Sequence, residues 1–175
     1  MSIKRRIVGQ INQITIVDKH VYTAKHGPAR GLKRQGGLGW LPAFIPRWHE
    51  WDAEEAFLNK LDWQAKTVFD IGGDQGLFTL FFARRVGSQG QVIVFEPNAR
   101  SCKRIQRNVE LNGFRNVRIV PRGIGEVQAV MQFIFPVREP ACGTAVLPIA
   151  DVIGKDTAEV ARCEISVNSL DAEIQ

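Results

Sequence analysis

The stretch Lys66–Gly76, reading Lys-Thr-Val-Phe-Asp-Ile-Gly-Gly-Asp-Gln-Gly, constrains this chain more than any other. A β-branched and aromatic run ends in an acid, passes into a glycine-rich turn and continues into an apolar segment, Leu77 to Val86. Such a run predicts a strand over 67–71, and the apolar segment predicts a buried helix over about 75–86. A strand that delivers a carboxylate into a glycine turn opening a helix outlines a nucleotide-cofactor site. Glycine lets a ligand approach the backbone, and the helix N-terminus offers unpaired N–H groups.

The segments that follow extend the same pattern. Gln91-Val92-Ile93-Val94-Phe95-Glu96 is a continuous apolar run ending in a second acid, which suits a parallel strand covered on both faces. A helix is predicted over about 98–112, with Cys102, Ile105 and Val109 inward and Gly113 as its stop. Arg100, Lys103, Arg104 and Arg107 are expected on its solvated outer face. Val117–Val120 reads as a third strand. Strand–helix–strand–helix–strand predicts a Rossmann-like, doubly wound parallel α/β sheet. Later strands are predicted at Val130–Phe135 and around Cys163, Ile165 and Val167, with a short helix beginning at Ser169-Leu170-Asp171.

Upstream, Asp52 and Glu55 form a capping-box pattern for a helix over 52–62. Glycines and prolines crowd residues 27–47, which read as a loop; Trp40, Trp48 and Trp51 are expected to staple it to the domain. Residues 3–17 carry Ile3, Ile7, Ile11 and Ile14 at near-helical spacing, although β-branched content over 14–23 competes in favour of strands. The expected organisation is an N-terminal extension, 1–51, followed by a partial cofactor-binding domain, 52–175. Residues 136–158 read as irregular.

Composition narrows the class. Of 175 residues, 45% are apolar and 23% charged, an ordinary globular balance. No apolar run approaches the roughly 20 residues that span a bilayer, and the basic N-terminus lacks a signal-peptide core, so a cytoplasmic protein is expected. Three cysteines without a CxxC, and three scattered histidines, support neither a disulfide framework nor a metal site. The net charge of +5 is too small, and the basic residues too scattered, to imply nucleic acid.

The turn then discriminates between cofactors. A dinucleotide turn requires G-x-G-x-x-G. Counting from Gly72, the second and third glycine positions are Asp74 and Leu77; from Gly73 they are Gln75 and Phe78. Asp70 and Asp74 would also repel a pyrophosphate. A cationic, phosphate-free cofactor fits better. S-adenosylmethionine carries a sulfonium and an ammonium, which an acid at the end of the first strand can hold. Glu96, at the end of the second strand and 20 residues after Gly76, stands where an acid accepts ribose hydroxyls in such folds.

Val68-Phe69-Asp70-Ile71-Gly72-Gly73-Asp74-Gln75-Gly76 resembles motif I of the class I methyltransferases, and within them the FkbM family's V-x-D-x-G-A-N-x-G. Val94-Phe95-Glu96-Pro97 resembles that family's F-E-P, Asn108 to Val120 its N-x-x-L-N-G-x-x-N-V segment, and Ser169-Leu170-Asp171 its T-L-D. The resemblance covers about residues 54–171. It implies S-adenosylmethionine-dependent methyl transfer, usually to oxygen, with a small-molecule or saccharide-type acceptor. By position it implies a cofactor loop of Asp70, Gly72, Gly73, Asp74 and Gly76, a ribose acid at Glu96, and Glu126 near the adenine. It identifies no catalytic base.

Two departures stand out. Gly73-Asp74 replaces the family's usual Ala-Asn. After T-L-D the family continues into a fourth parallel strand with an I-K-x-D-x-E-G-x-E motif, and this sequence stops before it. The expectation is a domain lacking its C-terminal part: a truncated product, a fragment, or a chain completed by a partner. An exposed sheet edge and apolar surface beside the cofactor loop should follow, with self-association through that edge. The alternatives are a non-catalytic remnant that binds cofactor without methyl transfer and, third, a nicotinamide-dependent oxidoreductase.

Overall fold

In a computed structural model of the chain, the structure describes residues 19–36, 52–137, 143–146 and 159–174. The expectations for residues 3–17, for the three tryptophans at 40, 48 and 51, and for most of 136–158 lie outside these residues. The centre is a parallel sheet of β3 (Thr67–Ile71), β4 (Gln91–Phe95) and β5 (Val117–Val120), in that spatial order. Two helices make the crossovers, α2 (Leu77–Val86) and α3 (Ala99–Leu111). Both crossovers step the same way across the sheet, and their common handedness puts both helices on one face. Their cores merge there: Leu80 of α2 and Ile105 and Val109 of α3 pack on Val94, and Ala83 and Val86 pack with Val68 and Val92. The parallel α/β class expected from the sequence is what these residues form, and they carry one wound of it.

Local chemistry sets the boundaries. Asn98 caps α3 by accepting the Arg100 N–H at 2.9 Å, and Gly113 follows the helix at a φ of +66°. Gly87, at +68°, ends α2. Upstream, α1 (Asp52–Asn59) ends near Trp63, whose Nε1–H donates to the Leu58 carbonyl at 2.7 Å. The Trp63 ring packs edge-on to Phe82. On its outer side β3 has no strand neighbour among the described residues, and Ile71 at its end is 53% exposed.

The reading of 27–47 as loop fails at its start. β1 (Val21–Thr23) and β2 (Lys33–Gln35) form an antiparallel hairpin. β2 has no apolar alternation for a sequence reading to find; side chains of α3 and of the residue after it hold it instead. The Asn112 amide exchanges two bonds with the Lys33 backbone, at 2.8 and 2.7 Å, and Asn108 Oδ1 accepts the Gln35 N–H at 2.7 Å. Two side-chain amides thus stand in for a third strand. Arg104 is also not on a solvated face: its Nη1 donates to the Gln35 carbonyl at 3.2 Å in a part-buried contact.

A second sheet, in the order β6 (Gly123–Ile124), β8 (Val160–Asn168), β7 (Ala129–Pro136), follows β5. β7 and β8 are antiparallel, and α4 (Leu170–Glu173), capped by Ser169, ends the described chain. No helix among the described residues is long and apolar enough to cross a membrane.

Candidate functional site

The parallel register carries Asp70 and Glu96 to the same end of the sheet: Ile71 pairs with Phe95, so the two acids flank the carboxyl ends of neighbouring strands. Ligands of open α/β sheets bind at this end. The turn between β3 and α2 is tied down by its own backbone. Gly72 N–H donates to the Phe95 carbonyl at 2.8 Å, and Gly76 N–H to the Gly73 carbonyl at 2.7 Å. Gly72 and Gly76 have φ of +84° and +78°, and Asp74, at +46°, is left-handed as well. Asp and Asn are the side chains that best tolerate that conformation, so Asp, where the motif it resembles has Asn, keeps the turn's geometry.

Gly73 is needed for a different reason. A Cβ there would meet Val94 Cγ2 at 2.3 Å and Ile105 Cδ1 at 3.0 Å. The alanine usual at this position of the motif it resembles has no room, because Val94 of the central strand fills the space.

Glu96 is 6% exposed and rigidly held. Its Oε2 accepts the Asp74 N–H and its Oε1 the Asn98 N–H, each at 2.8 Å. Each oxygen keeps a further lone pair for a ligand hydroxyl. Burial raises its pKa; the two N–H donors oppose this, and the charges of Asp74 and Asp70 add to it. Asp70 is also raised, by burial, against a 2.5 Å bond donated by the Thr79 hydroxyl. Thr79 is fully buried in an otherwise apolar helix segment. That lone polar residue is the sequence signal for its role, and the reading from sequence does not use it.

Asp74 is raised by burial, opposed by the Gln75 N–H and by the nearby charges of Arg34 and Arg104. Its negative charge is therefore partly compensated from within the protein. The electrostatic case against a pyrophosphate rests on Asp70 more than on Asp74. Behind the turn, Asn108 is fully buried and donates to the Gln75 carbonyl at 2.9 Å, joining α3, the turn and the hairpin. Cys102 donates to the Glu96 carbonyl at 3.0 Å; burial and the Glu96 charge push its thiol up to about 11, so it is an unreactive packing group.

The structure thus brings together Asp70, Gly72, Gly73, Asp74, Gly76 and Glu96. Glu126 stands apart, exposed between β6 and β7, with no hydrogen bond to the loop among the described residues.

No family model matches the chain. A 77-residue stretch is 31% identical to Methyltransferase 1 of Beauveria bassiana (strain ARSEF 2860), covering 44% of this chain and 30% of that protein. The chain thus spans less than a third of the length of the curated relative it matches. Among solved structures, a protein-L-isoaspartate O-methyltransferase aligns at 30% identity over 39% of this chain and 22% of its own, with a TM-score of 0.36. A SAM-dependent O-methyltransferase from Thermotoga maritima aligns at 26% identity over 43% and 29%, with a TM-score of 0.38.

Proposed function

We propose that this chain binds S-adenosylmethionine at the carboxyl ends of β3 and β4 and serves methyl transfer of the FkbM type, to oxygen of a small-molecule or saccharide-type acceptor. One observation carries the reading: Glu96 is clamped by the N–H groups of Asp74 and Asn98, beside Asp70, at one end of a parallel sheet.

The donor set fits the cofactor. Glu96 is buried and Asp70 half-buried, and burial disfavours the ionised form of each; a cationic ligand relieves that cost. The remaining lone pairs of Glu96 suit a pair of ribose hydroxyls. Asp70 has one oxygen engaged by Thr79 and no other hydrogen bond among the described residues, which leaves the second for an ammonium group. When bound, S-adenosylmethionine supplies a methyl activated by its sulfonium. The chain's contribution is to hold that group rigidly, so that an acceptor placed in line reacts as a near neighbour. The assignment of Glu126 to the adenine side rests on its position in the resemblance alone. Likeness to the F-E-P and T-L-D segments supports an oxygen acceptor.

Isothermal titration of the full chain with S-adenosylmethionine and S-adenosylhomocysteine tests the reading. Saturable binding of both is expected, and Glu96→Gln should weaken both by roughly 10- to 100-fold, the worth of a charge-assisted bond. A folded wild-type chain that binds neither, or that binds reduced nicotinamide dinucleotide more tightly, refutes it. Labelled methyl transfer to hydroxyl acceptors tests the acceptor class.

A further inference from the structure

Arg34 is a buried arginine, 8% exposed, at the centre of β2. Lys33 is exposed and Gln35 half-buried, so the strand's alternation turns Arg34 into the domain. Three connections place it at the cofactor turn. Its register partner is Tyr22, which is buried with Ala24 and Ala29 against Leu77, the residue that follows Gly76. The next residue, Gln35, is bonded to Asn108, which is bonded in turn to the Gln75 carbonyl. The Arg34 charge also acts on Asp74.

Despite this, Arg34 Nε is enclosed with no hydrogen-bond partner, and no ion pair joins the guanidinium to a carboxylate among the described residues. An enclosed Nε–H without an acceptor is costly, and Asp74 acts on Arg34 through its charge without supplying a hydrogen bond, so the guanidinium calls for a hydrogen-bonding anion. Its planar fork matches a carboxylate better than any other side chain does. The amino-acid end of S-adenosylmethionine carries one carboxylate beside its ammonium, and the acids of the turn can serve only the ammonium.

Resting on the cofactor reading above, we propose that Arg34 binds the carboxylate of the cofactor's amino-acid end, so that the N-terminal hairpin completes the site begun by the strand–turn–helix. Asp70 and Arg34 then hold the two opposite charges of one zwitterion. The hairpin becomes part of the binding site, and its clamps at Asn108 and Asn112 set where the arginine stands.

The test is calorimetric titration of the full chain with S-adenosylmethionine and with decarboxylated S-adenosylmethionine, which lacks only the carboxylate. Wild type should prefer the intact cofactor by roughly 10- to 100-fold, as for a charge-assisted hydrogen bond. Arg34→Met should abolish the preference by weakening the intact cofactor alone, and Arg34→Lys should retain part of it. If Arg34→Met weakens both ligands equally, Arg34 only balances Asp74 and the proposal is overturned. It is overturned too if the preference survives the substitution. If wild type binds both ligands equally, no group reads the cofactor carboxylate, whatever the variants do. Binding of neither ligand by folded wild type removes the cofactor reading itself, and this inference with it.

Discussion

Gly73→Ala tests the packing logic of the turn. The added Cβ would lie 2.3 Å from Val94 Cγ2 and 3.4 Å from Thr79 Oγ1. Relaxed carbon contacts need about 3.5–4.0 Å, so something must move by more than about 1 Å. Val94 is fully buried on the central strand, paired to β3 on one side and β5 on the other, and it cannot yield cheaply. The turn must yield instead, against the Gly72 bond to Phe95 and the Asp74 bond to Glu96. Overpacking of this kind costs about 1–3 kcal/mol. Val94→Ala alone should cost roughly 1.5–3 kcal/mol through two lost methyl groups and the cavity they leave. In the double variant the methyl added at position 73 enters the space that Val94 vacates. The double variant should therefore be more stable than the sum of the single effects by about 1–2 kcal/mol. Urea denaturation of the four chains at one temperature measures the cycle, with matching m-values as the control for two-state behaviour. Additivity within about 0.5 kcal/mol, or a neutral Gly73→Ala, would refute the claim that Val94 excludes alanine from this position.

Two further perturbations probe the acids and the clamp. Because burial raises Asp70, Asp74 and Glu96 above the usual carboxylate range, the folded chain holds protons where the unfolded chain has released them. Stability of the ligand-free chain should rise as pH falls from neutral through those raised values and level off below the usual carboxylate range. Glu173, held low by Asn168 and Arg122, acts in the opposite sense, its contribution being lost as pH falls from the usual carboxylate range through its own lowered value. Asp74→Asn, which keeps the turn's backbone preference, should flatten the rise, and denaturation midpoints across pH check both statements. Asn108→Ala should cost about 2–4 kcal/mol by stranding the Gln35 N–H and the Gln75 carbonyl. Hydrogen exchange should show the Gln35 amide losing protection, and unchanged protection there would remove the clamp.

Strand–turn–helix is legible from residues 66–86 because every signal in it is local: β-branched residues, an acid, glycines, then a helix with little polar relief. Glu96 is legible for the same reason, as the end of an apolar run. The rest depends on partners distant in the chain. β2 carries no pattern of its own, and residues 108 and 112, more than 70 positions away, make it a strand. Arg104 reads as solvated because its helix face is basic, yet its partner is the carbonyl of Gln35. The exchange of Ala for Gly at 73 looks like a departure from pattern, whereas its cause is the side chain of Val94 across the turn. Sequence reading recovers elements and strand-end acids; it does not recover compensations between elements.

The asparagines from the middle of α3 onward illustrate why such compensations matter to the site. Asn108 bonds both the hairpin and the turn, Asn112 completes the hairpin edge, and Asn116 Nδ2 donates to the carbonyls of Ala83 and Gly87 at the end of α2. Asn108 and Asn112 can do this because a carboxamide carries donor and acceptor together and matches a peptide group without adding charge, whereas Asn116 acts through its two Nδ2 hydrogens alone. The turn is therefore positioned from outside as well as from within. Gln75 is held by α3, and its neighbour Asp74 presents an N–H to Glu96. Glu96 in turn is fixed at its other oxygen by Asn98, the residue that caps α3. A shift of α3 would thus move both anchors of Glu96 at once, and the hairpin bearing Arg34 with them. If a ligand carrying both charges binds as proposed, that coupling keeps Arg34 and Asp70 in register for it, which a flexible loop could not do.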